Sequence, residues 1–115
     1  LIDSYSTGMK KKLAIMGVIK QDKHIMVLDE PFNGLDLESC LNLRSILLRL
    51  KENGKTIIVT SHVIETLTNL CDQIHFLVQG KIEKSIASTD FGAFEKELYA
   101  TIEQRNMGLI NSVLP

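Results

Sequence analysis

The sequence contains no apolar run approaching the ~20 residues that a membrane-spanning helix needs, so no span is expected within it. It has no excess of either charge: 13 Lys and Arg stand against 14 Asp and Glu, leaving a net charge of −1. That balance lacks the electrostatic footprint of a nucleic-acid binder, and no nucleic-acid partner is expected. The only basic cluster is Lys10, Lys11 and Lys12, which reads as a solvated helix face. Cys40 and Cys71 stand alone, with no metal-ligand spacing, and read as buried apolar residues of a reduced compartment. No secretory signal is visible at the start of this stretch, and it holds no internal repeat and no low-complexity tract. What remains is the composition of an ordinary globular chain, at 115 residues one domain or less.

Against this background one stretch stands out. Ile25-Met26-Val27-Leu28 runs into Asp29-Glu30 and then Pro31. The run is too short for an amphipathic helix and fits a strand buried on both faces, as in parallel sheets. Pro31 ends it, because proline donates nothing to a central ladder. Acids at the carboxyl end of such a strand occupy the place where open α/β sheets bind ligands. By itself the stretch fits a core strand with a solvated acidic end equally well.

The rest of the chain alternates in the same style. A helix is expected from about 8 to 20, with Ser6 as its cap and Leu13, Ala14, Gly17 and Val18 along one stripe. A polar turn over 21–24 precedes the strand at 25–29. Asp36 is placed to cap a helix over 37–52, whose Cys40, Leu43, Leu47 and Leu50 recur at spacings of three and four. Asn53-Gly54 should end it, and the β-branched run 55–60 should form a second strand parallel to the first. A short helix from Ser61 or His62 to about Leu70 should turn Val63, Ile64 and Leu67 inward. A third strand at 74–78, a turn at Gln79-Gly80 and an antiparallel edge strand at 81–86 follow. Ser88 or Thr89 should cap a helix with Phe91, Phe94 and Leu98 on one face. Periodicity fades from Thr101, which predicts a loosely packed tail over 101–115. His24 and His75 read as structural.

Four stretches in order carry a resemblance: Tyr5-Ser6-Thr7-Gly8-Met9-Lys10, Ile25 to Glu30, Asn33-Gly34-Leu35-Asp36, and Thr56 to His62. They resemble the signature loop, Walker B strand, D-loop and switch histidine of ATP-binding cassette (ABC) ATPases, over residues 4 to 86. The resemblance implies an α/β fold: a partial P-loop ATPase core of parallel strands and crossover helices, with a C-terminal antiparallel edge hairpin. Residues 1–100 would be the partial domain, with the signature loop and helix at 1–22 and the core at 23–100. It also implies ATP and Mg²⁺ as ligands. Asp29 would hold the metal through water, since magnesium keeps much of its hydration shell. Glu30 would orient and deprotonate the attacking water, and His62 would couple that water to the γ-phosphate. Ser6 and Gly8 would present a helix N-terminus to the nucleotide of a second ABC domain paired head to tail. Asp36 would line that dimer interface as well as cap its helix. Thr7 and Met9 depart from the commonest signature, L-S-G-G-Q, at its first glycine and its glutamine.

The function implied is the energy-coupling ATPase of a transporter, peripheral on the cytoplasmic face of the membrane and bound to transmembrane subunits. The signature style resembles exporter ATPases more than importers. A soluble non-transport ABC ATPase and a truncated, partner-binding remnant are the alternatives. No G-x-x-x-x-G-K-[ST] phosphate loop occurs, and the first residue is Leu1, so the sequence reads as a fragment that does not hydrolyse ATP alone. In the family the strand preceding that loop lies between the second and third strands here. Its absence predicts unpaired backbone and self-association.

Overall fold

A computed structural model describes the backbone of residues 2–114 and the side chains of residues 8–114. The order is α1 (Ile2–Lys20), β1 (Ile25–Asp29), α2 (Leu37–Glu52), β2 (Thr56–Thr60), α3 (Ile64–Thr68), β3 (Gln73–Val78), β4 (Lys81–Ala87), a 3₁₀ turn (Ser88–Asp90) and α4 (Phe91–Val113). The chain divides into two compact units, Leu1–Leu70 and Cys71–Pro115. The α/β class, the parallel strands and the antiparallel hairpin are as the sequence implies. Among the described residues the strands form two two-stranded sheets, and the third strand pairs within its hairpin.

In the first unit β1 and β2 pair in parallel, with Met26 opposite Ile57 and Asp29 opposite Thr60. The connection between them is α2. Asp36 caps it by accepting a hydrogen bond from the Ser39 N–H at 2.7 Å. At the other end Gly54 adopts φ +87°, a left-handed conformation that glycine reaches without steric cost. Its N–H donates to the Lys51 carbonyl, and the Lys55 N–H reaches back to Leu50, the double bond of a Schellman stop. Leu43 and Leu47 of α2 are buried with Met26 and Leu28 of β1, Pro31 and Leu70. A fully buried side chain of this size contributes about 1.5–3 kcal/mol, so this cluster is the main apolar support of the unit.

β1 is buried on one face only, contrary to the two-sided expectation. Met26 and Leu28 point inward, whereas Ile25 and Val27 are each 63% exposed. No described element fully covers that second face. The stripe of α1 also differs: Lys11, Ile15, Val18 and Ile19 are half-buried and Leu13 is 66% exposed. The spacing i, i+4, i+7, i+8 is equally helical, and it turns the β-branched residues inward. Likewise Ile64 and Leu67 of α3 are half-buried, but Val63, at its N-cap, is exposed.

The start of α1 is a further correction. The helix begins at Ile2, so Ser6 does not cap it and Gly8 lies in its interior. Residues 2–7 contain no proline or glycine, so nothing in the sequence stops a helix from extending backwards to Ile2. The Ser6 side chain lies outside the described residues.

In the second unit β3 and β4 form the hairpin, closed by Gln79 and Gly80 at φ +50° and +77°. Two successive left-handed residues match the twist of a two-residue hairpin loop. Ile74, Ile86 and Phe91 are buried. Phe76 and Phe94 meet with ring centroids 5.3 Å apart, and the Lys84 ammonium lies 5.0 Å from the Phe94 centroid. Phe91, Phe94 and Leu98 share the inner face of α4 as expected. No side chain caps that helix: the Ser88 N–H instead donates to the Asp72 carbonyl, and the 3₁₀ turn leads directly into α4. The helix continues to Val113 where a loose tail is expected. Its residues from Tyr99 onward are all exposed, so no buried face imposes a periodic pattern on them.

Candidate active site

The parallel register decides which side chains meet. Asp29 and Thr60 are the last residues of their strands and are direct partners, so both loops leave from the same edge. The Thr60 hydroxyl donates to Asp29 Oδ1 and accepts the Glu30 N–H at 2.9 Å. One hydroxyl thereby fixes the Asp29 carboxylate and the backbone of Glu30. Two residues past Thr60, His62 Nε2 lies 3.2 Å from Glu30 Oε1. The Glu30 side chain is 29% exposed and that of His62 95%, so the carboxylate is partly sheltered while the imidazole faces open solvent.

Glu30 itself adopts φ +47°. A left-handed conformation in a residue with a Cβ is uncommon and persists where the surroundings over-determine it. Here both of its backbone polar groups are held. The N–H is bound by Thr60, and the carbonyl accepts from the Asn33 N–H at 3.2 Å and from the Lys11 ammonium. Lys11 also donates to the Asn33 carbonyl at 2.6 Å. Reading Lys10 to Lys12 as a uniformly solvated face therefore misses Lys11, which is half-buried against the turn.

The loop continues through Gly34, at φ +79°, into the Asp36 cap. Hydrogen bonds from Ser39, its hydroxyl first and its N–H second, hold the Asp36 carboxyl below its ordinary value of 3.8. The Cys40 thiol lies 3.7 Å from the carbonyls of both Phe32 and Leu35 and donates to this loop from within, so it is more than an apolar filler. A Cβ on Gly8 would sit 3.5 Å from the Gly34 carbonyl oxygen, so α1 passes close to the same loop. Asp29, Glu30 and His62 are thus gathered at one edge with Asp36 farther along the loop, and Gly8 flanks that loop.

Thr60 and Lys11 are the two residues that sequence reasoning missed. For Thr60 the signal was the parallel register, which sets the last residue of β2 beside Asp29. For Lys11 it was the stripe shared with Ile15, Val18 and Ile19.

Asp29 is a single carboxylate at a strand end, and the described residues contain no cluster of three or more His, Cys, Asp or Glu able to cage a metal. This donor set fits Mg²⁺, which is held by one or two carboxylates together with water and substrate phosphates.

The profile of the family described as "AAA domain, putative AbiEii toxin, Type IV TA system" matches residues 2–67. The chain is 32% identical over 108 residues to a fluoroquinolones export ATP-binding protein of Mycobacterium tuberculosis, covering 94% of this chain and 36% of the relative. The chain belongs to the ABC ATPases. It is 36% identical over 87 residues to the bacitracin transport ATP-binding protein BcrA of Enterococcus faecalis, covering 75% of this chain and 28% of BcrA. Among solved structures it is similar to cbiO1 of Clostridium perfringens, part of the ABC transporter complex cbiONQ. That match has a TM-score of 0.62 and 29% identity, over 91% of this chain and 43% of cbiO1. The chain therefore spans about a third of the curated ABC relatives it matches. Among the described residues, no helix is long and apolar enough to cross a membrane.

Proposed function

We propose that this chain carries the hydrolytic edge of an ATP-driven, energy-coupling subunit of an ABC transporter of the exporter type. The observation that supports this reading most is the approach of Glu30 Oε1 to His62 Nε2, beside an Asp29 oriented by Thr60. Hydrolysis of a phosphoanhydride needs positioning and charge stabilisation more than covalent chemistry. MgATP, when bound, supplies an electrophilic γ-phosphoryl group whose charge the metal partly neutralises. Asp29 would hold the metal through its water shell. Glu30 accepts the proton of the attacking water, and its rigid backbone keeps the carboxylate aimed. His62 donates from one ring nitrogen toward the γ-phosphate while staying beside Glu30.

Asp36 serves both as helix cap and at the interface with a second ABC ATPase domain, paired head to tail. Ser6 and Gly8 cap the partner's nucleotide; for their amides to be free, α1 must begin at Gly8 in the paired state. Transmembrane subunits are the remaining partners, which places the protein on the cytoplasmic face of the membrane. The relatives named for export and for bacitracin transport support this assignment.

Residues 1–115 contain no phosphate-loop sequence and should not hydrolyse ATP by themselves. Phosphate release by the purified chain, with and without Mg²⁺, tests that directly. Metal-dependent turnover above background overturns the assignment of the triphosphate cradle to residues outside this chain.

A further inference from the structure

We infer that Lys11 is a positioning residue for hydrolysis, tying α1 to the backbone of the carboxylate that activates water. The inference rests on the reading of Glu30 as the general base. Lys11 donates to the carbonyls of Glu30 and Asn33, the two ends of the turn that follows β1. Glu30 sits in that turn at φ +47°, immediately before a proline. A residue before proline is already restricted by the ring, so this conformation needs external support. Thr60 supplies it at the N–H and Lys11 at the carbonyl. A lysine serving only solubility would leave its ammonium in water. This one is half-buried and converges on two carbonyls distant in sequence.

The bond also has a direction. α1 touches the 30–34 loop at two points one helical turn apart: the backbone of Gly8 beside the Gly34 carbonyl, and the Lys11 ammonium at Glu30 and Asn33. Residues 8 and 11 fall on the same helix face. A displacement of α1 therefore pulls on the carbonyl of Glu30. Gly8, with Ser6 before it, is assigned to the partner domain's nucleotide.

The experiment compares Lys11→Met, Lys11→Arg and Glu30→Gln in the intact ATPase that carries this chain, measuring kcat, KM for ATP and equilibrium nucleotide binding. Methionine keeps the apolar stem and removes all donors. Misplacing a catalytic group by a fraction of an ångström should lower kcat of Lys11→Met about tenfold. Nucleotide affinity should stay within about twofold of wild type, because only the transition state feels the base. Lys11→Arg, which restores donors, should recover most of the loss. A kcat for Lys11→Met within about twofold of wild type overturns the inference, as does equal loss in both Lys11 variants. Should Lys11→Met fail to fold, the wild-type chain decides by nitrogen-15 NMR of the ammonium. Slow exchange and hydrogen-bond couplings to the Glu30 and Asn33 carbonyls support the inference, and a freely exchanging signal overturns it. Glu30→Gln separates the two claims. If it leaves kcat intact, the catalytic reading itself fails; if it abolishes turnover while Lys11→Met stays within about twofold of wild type, only the role of Lys11 fails.

Discussion

The two units of this chain spend their hydrogen bonds differently. In Leu1–Leu70 one set of side-chain bonds gathers at the carboxyl ends of two parallel strands, where Thr60, Asp29, Glu30 and Lys11 interlock. In Cys71–Pro115 the side chains mostly pack: Phe76 against Phe94, Ile74 and Ile86 on paired strands, Lys84 over a ring. Both units hold a non-glycine residue with positive φ, but for different reasons. Gln79 needs it to close a two-residue hairpin, whose twist demands that conformation. Glu30 has no hairpin to close and is held by side chains from α1 and β2. Parallel strands send both loops out at one edge, which converts register into a constellation. A hairpin returns at once and builds a surface.

That contrast can be broken by substitution. Phe91→Ala should be the largest stability change, about 3–5 kcal/mol, because a buried ring leaves a cavity in a small core. Leu47→Ala, in the core of the first unit, should cost about 2–5 kcal/mol. Urea denaturation measures both, and a loss below about 1 kcal/mol for either would remove that residue from the core assigned to it. Thr60→Val should act on chemistry before stability, lowering kcat of the intact ATPase about tenfold, or ~1.4 kcal/mol. Equal loss of folding and turnover would make Thr60 a structural residue instead. Gly34→Ala should destabilise by about 1 kcal/mol through its left-handed backbone alone, since a Cβ there meets nothing within 4 Å.

The smallest effect is on acidification. Asp22, through a hydrogen bond and a 2.7 Å ion pair with Lys55, and Asp36, through Ser39, both have carboxyl groups held below 3.8. Their contribution is complete above that value and is lost as pH falls through the lowered ones. Unfolding midpoints that do not change on acidification below pH 3.8 would contradict it.

Much of this was legible in the residues. The run Ile25–Asp29, the stripe of α2 and the Asn53-Gly54 stop each combine a period with a boundary signal, and local physics fixes them. Gln79-Gly80 announced its turn in the same way. What failed needed long-range context. The burial of β1 on one face depends on which elements cover it. The continuation of α4 to Val113 leaves no pattern, because no face of that stretch is buried. Thr60 reads only as the end of the second strand, since its partner Asp29 lies 31 residues away. Lys11 was hidden by its flanking lysines, which share its charge but not its direction.

The most direct test is turnover at saturating MgATP by the intact ATPase carrying Glu30→Gln, with nucleotide binding measured on the same preparation. The amide keeps the shape and removes the base. The account predicts nucleotide binding close to wild type and a fall in turnover of about 10²–10⁴-fold. Turnover within about threefold of wild type would contradict it.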